Sequence, residues 1–198
     1  MRTLPTAIRD QVRRFFSRDE GTITVEMLLT LPIVLWAYLG TFVFFDAYNA
    51  QAVNVRTSYT LGDALSRETG FVTPRYMDSL YELQRFLVQT DENVALRITV
   101  VRYELTRDRH RVVWSQVRGP GIAPLQNQDI ADFYDRIPRT VNEGQMIMVE
   151  TWVDYAPAFG VGIEDFTFED ISLTRPRFSG QVCWNSQENG DERTAVCR

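Results

Sequence analysis

The 198-residue chain contains no lysine; all 21 of its basic side chains are arginine. It has one histidine, His110, and two cysteines, Cys183 and Cys197. These shortages remove whole classes of chemistry. Without lysine there is no G-x-x-x-x-G-K-[ST] phosphate loop. With His110 the single histidine, the sequence offers no choice of partners from which to argue a Ser-His-Asp set. His110 falls in the basic stretch 107–111 and is expected to be a solvated turn residue. Acids are plentiful, and Glu164, Asp165, Glu169 and Asp170 flank Phe166-Thr167-Phe168. Paired carboxylates can do acid–base work or hold calcium. These alternate with core-type aromatics on a predicted strand, which reads better as a solvated face. The chain is therefore expected not to be an enzyme, and no cofactor or metal is expected.

Net positive charge is missing as well. The formal net charge is −5. Residues 1–21 hold five arginines and three acids, or +2, so residues 22–198 sum to −7. A nucleic-acid partner would require clustered positive charge, which argues against one. With 44% hydrophobic residues, extended disorder is not expected either.

What the chain does have is one long apolar run. From Met27 to Phe45, 19 residues, there is no charge. As a helix this run is about 28 Å long, close to the hydrocarbon thickness of a bilayer. Pro32 lies inside it, and proline predicts a kink there, although proline is also common in membrane helices. A signal peptide has a shorter apolar core of about 7–15 residues and a small-residue cleavage site. Here the run is followed by Asp46-Ala47-Tyr48-Asn49 instead, and the only plausible processing point precedes it, at Gly21. Arginine near one end of a span keeps that end in the cytoplasm, so residues 46–198 are expected outside. One acid, Glu26, stands at the head of the run, where charge is costly and calls for a reason.

The basic leader ending Arg18-Asp19-Glu20-Gly21, the following Thr22-Ile23-Thr24-Val25-Glu26 and the apolar run with Leu31-Pro32 resemble the N-terminus of type IV pilin-like proteins. The finer resemblance is to TadE-like minor pilins (pseudopilins) of tight-adherence, or Flp/Tad, pili, to which the stretch Thr174-Arg175-Pro176-Arg177-Phe178 also fits. The resemblance implies cleavage between Gly21 and Thr22 by a prepilin peptidase on the cytoplasmic face. It implies that the freed amine of Thr22, cationic near neutral pH, pairs with the Glu26 carboxylate of a neighbouring subunit and sets axial register. The implied function is a non-enzymatic role in initiating or assembling an adhesive pilus. The implied partners are the bacterial inner membrane, prepilin peptidase, other pilin subunits and the Tad secretion machinery. The alternative is a signal-anchored periplasmic binding or sensing domain unrelated to filaments, with Glu26 at headgroup level.

Three segments are expected: a cytoplasmic leader over 1–21, a transmembrane helix over 22–45 and an extracytoplasmic α+β domain over 46–198. In that domain the first helix is expected to fade by Gly62 or Gly70. Thr73 and Pro74 predict the cap and first residue of a second helix. Its apolar stripe is Met77, Leu80, Leu83 or Gln84, and Leu87, broadened by Tyr76 and Phe86. Alternation over Val94, Leu96, Ile98 and Val100, then a changed phase at Val101, Tyr103 and Leu105, predicts a strand with a bulge. A hairpin partner is expected over 112–117, turns and a short helix between Gly119 and Gly144, a strand over 145–155 and another over 163–173. In the 145–155 strand, Met146, Met148, Glu150 and Trp152 face away from Ile147, Val149, Val153 and Tyr155, and the 119–144 segment is expected to cover them. Helices then strands, in blocks, predict α+β with an antiparallel sheet. Cys183 and Cys197, in a domain expected outside the cytoplasm, predict a disulfide rather than a metal site. The loop between them looks polar, with little apolar content of its own.

Overall fold

The computed structural model describes residues 22–141, 143–188 and 190–197. Helix α1 covers Thr22–Ser66, and α2 covers Pro74–Val88. Four strands follow: β1 (Val94–Glu104), β2 (Arg109–Arg118), β3 (Gln145–Tyr155) and β4 (Phe166–Thr174). They form one antiparallel sheet in the order β2-β1-β3-β4. Short strands β5 (Trp184–Asn185) and β6 (Ala195–Val196) pair near the end. The fold class is α+β, as expected. Two compact units divide the chain: one holds α1 up to Asp46 together with Ala158–Ile163, the other Ala47–Pro157 and residues from Glu164 onward.

In the larger unit, α2 starts where the sequence puts it. The Thr73 hydroxyl accepts from the Tyr76 amide at 3.3 Å, and Pro74 opens the first turn, where its missing N–H costs nothing. Met77, Leu80 and Gln84 are buried, and the Gln84 amide donates to the Ala95 carbonyl at 3.1 Å. Phe86 departs from expectation. It is 71% exposed, because two residues past Gln84 the helix has turned that position away from the core.

The inner sheet face packs Leu96, Ile98, Val100, Ile147 and Val149 against Leu61 and Leu65 of α1 and Met77 and Leu80 of α2. The other face is dry too. Val101, Met146 and Met148 pack with Leu125, Ile130 and Ile137 from the connection between β2 and β3, so that segment covers them as expected. It contains a short 3-10 turn, Asp129–Phe133. The Asn127 side chain accepts from the Val112 amide at 2.8 Å, and the Ser115 hydroxyl accepts from the Leu125 amide at 2.9 Å, which anchors the cover to β2.

Burial on both faces explains the phase change read in β1. Its inward and outward alternation is unbroken, and Val101 is apolar because the second face is also core. The bulge lies on the partner strand. Val100 pairs with Trp114 and Val101 with Val112, which leaves Val113 as the extra residue. Gly119, at φ +93, ends β2 where a Cβ would fall 2.4 Å from the Val94 carbonyl oxygen, so only glycine fits.

Two expectations on charged residues change. His110 is in β2, 7% exposed, rather than in a solvated turn; the turn ends at Asp108, at φ +44. Its ring lies between Tyr103 and Tyr134, with centroids at 5.1 and 5.7 Å. Asp170 is not on a solvated face. It shares parity with Phe166 and Phe168, lies opposite Thr151, and accepts a short hydrogen bond from the Ser58 hydroxyl of α1. Glu164, Asp165 and Glu169 are exposed as read. Strand β4 starts at Phe166, three residues later than expected.

Candidate functional site

Four features carry functional interest: the first half of α1, the loop packed beside it, a buried ion pair and the disulfide-closed end.

Helix α1, described from Thr22, runs on through Pro32 without interruption of the helix. Proline withholds the amide that would bond the Leu28 carbonyl, four residues back. Thr30 and Thr41 return their hydroxyls to the Glu26 and Ala37 carbonyls, both at 2.8 Å, which keeps small polar groups bonded within the helix. Apolar side chains point outward all round: Leu28 is 74% exposed and Phe45 72%. A helix apolar on every side belongs in a protein core or a membrane. This one is long and apolar enough to cross a bilayer and is hardly buried. Glu26 is exposed, and no cation among the described residues pairs with its carboxylate. The expected processing glycine, Gly21, and the leader 1–21 lie outside the described residues.

Between Ile23 and Asp46, three residues break the exposed pattern. Val43 is fully buried, and Leu39 and Gly40 are half-buried. Leu39 and Val43 are four apart and share a face. The loop Ala158–Ile163 belongs to the same compact unit, and Phe159 meets Phe42 edge-on with ring centroids 6.1 Å apart. The sequence reading passed over this loop. Its signal was an uncharged run, 155–163, bracketed by Asp154 and Glu164.

In the sheet, Glu150 is completely buried. Arg97 clamps both its carboxylate oxygens at 2.6 Å, donates to the Ala123 carbonyl at 3.1 Å and lies over the Trp152 ring at 5.1 Å. Burial pushes the Glu150 carboxyl above the ordinary carboxylate range, against the opposing pull of Arg97. One of these bonds, from Arg97 to the Ala123 carbonyl, ties the pair to the 119–144 cover. Burial also holds the His110 imidazole below its usual value, against a hydrogen bond to the Pro138 carbonyl and the charge of Asp108. Its Nε2 meets no hydrogen-bonding atom of the described residues.

Cys183 and Cys197 are joined, as expected. The enclosed segment is better held than its composition suggested. Trp184 is buried and packs 6.0 Å from Trp114, whose indole N–H donates to the Val182 carbonyl at 2.8 Å. Val72 exchanges backbone hydrogen bonds with Cys183 and Asn185 at 2.8 and 2.9 Å. A groove of about 800 Å³ runs beside the disulfide, lined among others by Phe71, Gln181, Glu192 and Val196. Among the described residues no three His, Cys, Asp or Glu side chains gather as metal ligands. No family model matches the chain, and no curated protein or solved structure matches it.

Proposed function

We propose that this chain is a TadE-like minor pilin, or pseudopilin, that helps initiate or assemble a tight-adherence adhesive pilus from the bacterial inner membrane. One observation carries the reading. From Thr22 to Phe45 the only charged residue is Glu26, on a helix whose apolar surface faces outward on almost every side. In the proposal, the N-terminus is cytoplasmic, prepilin peptidase cuts after Gly21, and the α+β domain lies in the periplasm. The Glu26 carboxylate then receives the Thr22 amine of a neighbouring pilin subunit. Two opposite charges paired in a low-dielectric setting favour one axial offset between helices. Contacts with the Tad machinery and other pilins follow from this reading, and the chain itself carries out no reaction. The rival reading, a signal-anchored periplasmic binding or sensing domain, draws its support from the groove beside the disulfide.

The two readings part at the mature N-terminus and at Glu26. Protein recovered from membranes should begin at Thr22, and Gly21→Leu should remain uncut. Glu26→Gln should weaken and Glu26→Ala largely abolish surface pili and co-purification of other pilins. Membrane insertion should survive both, since removing a charge near a span edge favours insertion. Wild-type assembly by Glu26→Ala, or an intact leader in mature protein, would decide for the anchored binding domain.

A further inference from the structure

We infer that the loop Ala158–Ile163 is a second membrane-contacting element, seated in the interfacial layer of a phospholipid bilayer beside the outer end of the helix. This rests on reading residues 22–45 as a span. Three observations place it there. First, Phe159 packs on Phe42, three residues inside Phe45, the last residue of the uncharged run. Three residues are about 4–5 Å of axial rise, so the Phe159 ring sits at the depth at which interfacial apolar groups bury. Second, the loop carries no charge, and charge returns on both sides, at Asp154 and at Glu164-Asp165. Third, Phe159 is still 45% exposed after packing on Phe42, so half of a large apolar ring is left for something other than protein. Lipid already has to cover the helix surface that adjoins it, and the same phase extends over the ring without a new partner.

The backbone sets the depth. Non-helical backbone cannot lie in the hydrocarbon layer with its polar groups unpaired. Within this loop the Val161 amide bonds the Phe159 carbonyl at 2.9 Å, and Gly162 turns the chain at φ +99. The remaining backbone groups need water or headgroups. The loop is therefore shallow, with Phe159 and Val161 turned toward the acyl chains and the glycines at the headgroups.

The test uses the full chain in vesicles of phosphatidylethanolamine and phosphatidylglycerol. Both native cysteines are in the disulfide, so an added cysteine takes an environment-sensitive fluorophore alone. Probes are placed at 159 (Phe159→Cys), at 161 (Val161→Cys) and in mid-span at 35 (Leu35→Cys). Lipids brominated on the upper acyl chain should quench the probes at 159 and 161, and Phe159→Asp should abolish the quenching at 161. Lipids brominated deep in the chain should quench 35 and spare 159. Quenching at 35 with none at 159 and 161 overturns the inference and leaves the span intact. No quenching at 35 removes the span, and the inference with it.

Discussion

Helix α1 is a single helical element with two very different halves. Before Asp46 its large apolar side chains are exposed, apart from the Leu39–Val43 face. After Asp46 it is amphipathic: Asn54, Thr57, Ser58, Leu61 and Leu65 are buried, while Tyr48, Arg56 and Tyr59 face out. The second half gains its stability from the sheet, through Leu61 and Leu65 in the core and Ser58 on Asp170. The first half keeps most of its large apolar side chains exposed, and by length and composition it is apolar enough to cross a membrane. A single secondary-structure element can thus be specified by two different environments, and the pattern of apolar residues says which environment each half requires.

That contrast can be broken most sharply at matched leucines. Leu61→Ala should cost about 2–5 kcal/mol in the larger unit, because it empties a fully buried site. Leu28→Ala should change the same transition by less than roughly 0.5 kcal/mol, as an exposed position does. Urea unfolding in mild detergent, followed by the fluorescence of Trp114 and Trp184, reads both. Equal effects would mean that the two halves are not distinct.

Next in size is the disulfide. In the chain-entropy model a bridge of this span contributes about 3 kcal/mol, largely through the unfolded state. Because Val182 and Trp184 belong to the core, Cys183→Ser should lower the midpoint of the whole unit and not only fray residues 186–196. Differential proteolysis alongside the unfolding curve separates the outcomes; nicking in 186–196 with an unchanged midpoint would show the end to be an independent flap.

Ser58→Ala should cost about 1 kcal/mol, the lower end for a half-buried acceptor losing its donor. Ser58→Thr, which keeps the hydroxyl, should recover part of that loss. If Ser58→Ala is silent, the polar portion of the helix–sheet seam adds nothing and only its leucines hold α1 on the sheet.

The smallest effect is a pH dependence. The His110 value is depressed in the folded state, so the unfolded chain binds the extra proton first. Stability from keeping this ring neutral is present above its unfolded value of about 6.5 and falls as pH drops below it. His110→Gln should flatten the stability profile between about pH 7.5 and 5.5 relative to the parent protein. A profile steeper in the variant would reverse the assigned sign.

The elements that sequence fixes locally were legible in it. The uncharged run with its single acid, the Thr73-Pro74 helix start, the α+β order and the pairing of two cysteines all depend on composition, period or count. Each survives in the structure because short-range physics sets it: a cap needs only its own turn, and a 19-residue apolar run needs only its length. What required the tertiary structure were facts about which surface meets which. His110 read as a solvated basic turn because its neighbours are arginines; it is buried because the strand's alternation turns it toward Tyr103 and Tyr134. Asp170 read as solvated among other acids, but parity places it with the aromatics, where it accepts from the Ser58 hydroxyl. Phe86 read as core because it is apolar, yet helical rotation carries it outward. The partnership of Phe159 with Phe42 joins residues 117 positions apart, and no local pattern reports a contact at that separation. Sequence by itself determined which segments must leave water, since that follows from side-chain chemistry; only the fold decided what covers each of them, since that depends on the long-range geometry of the chain.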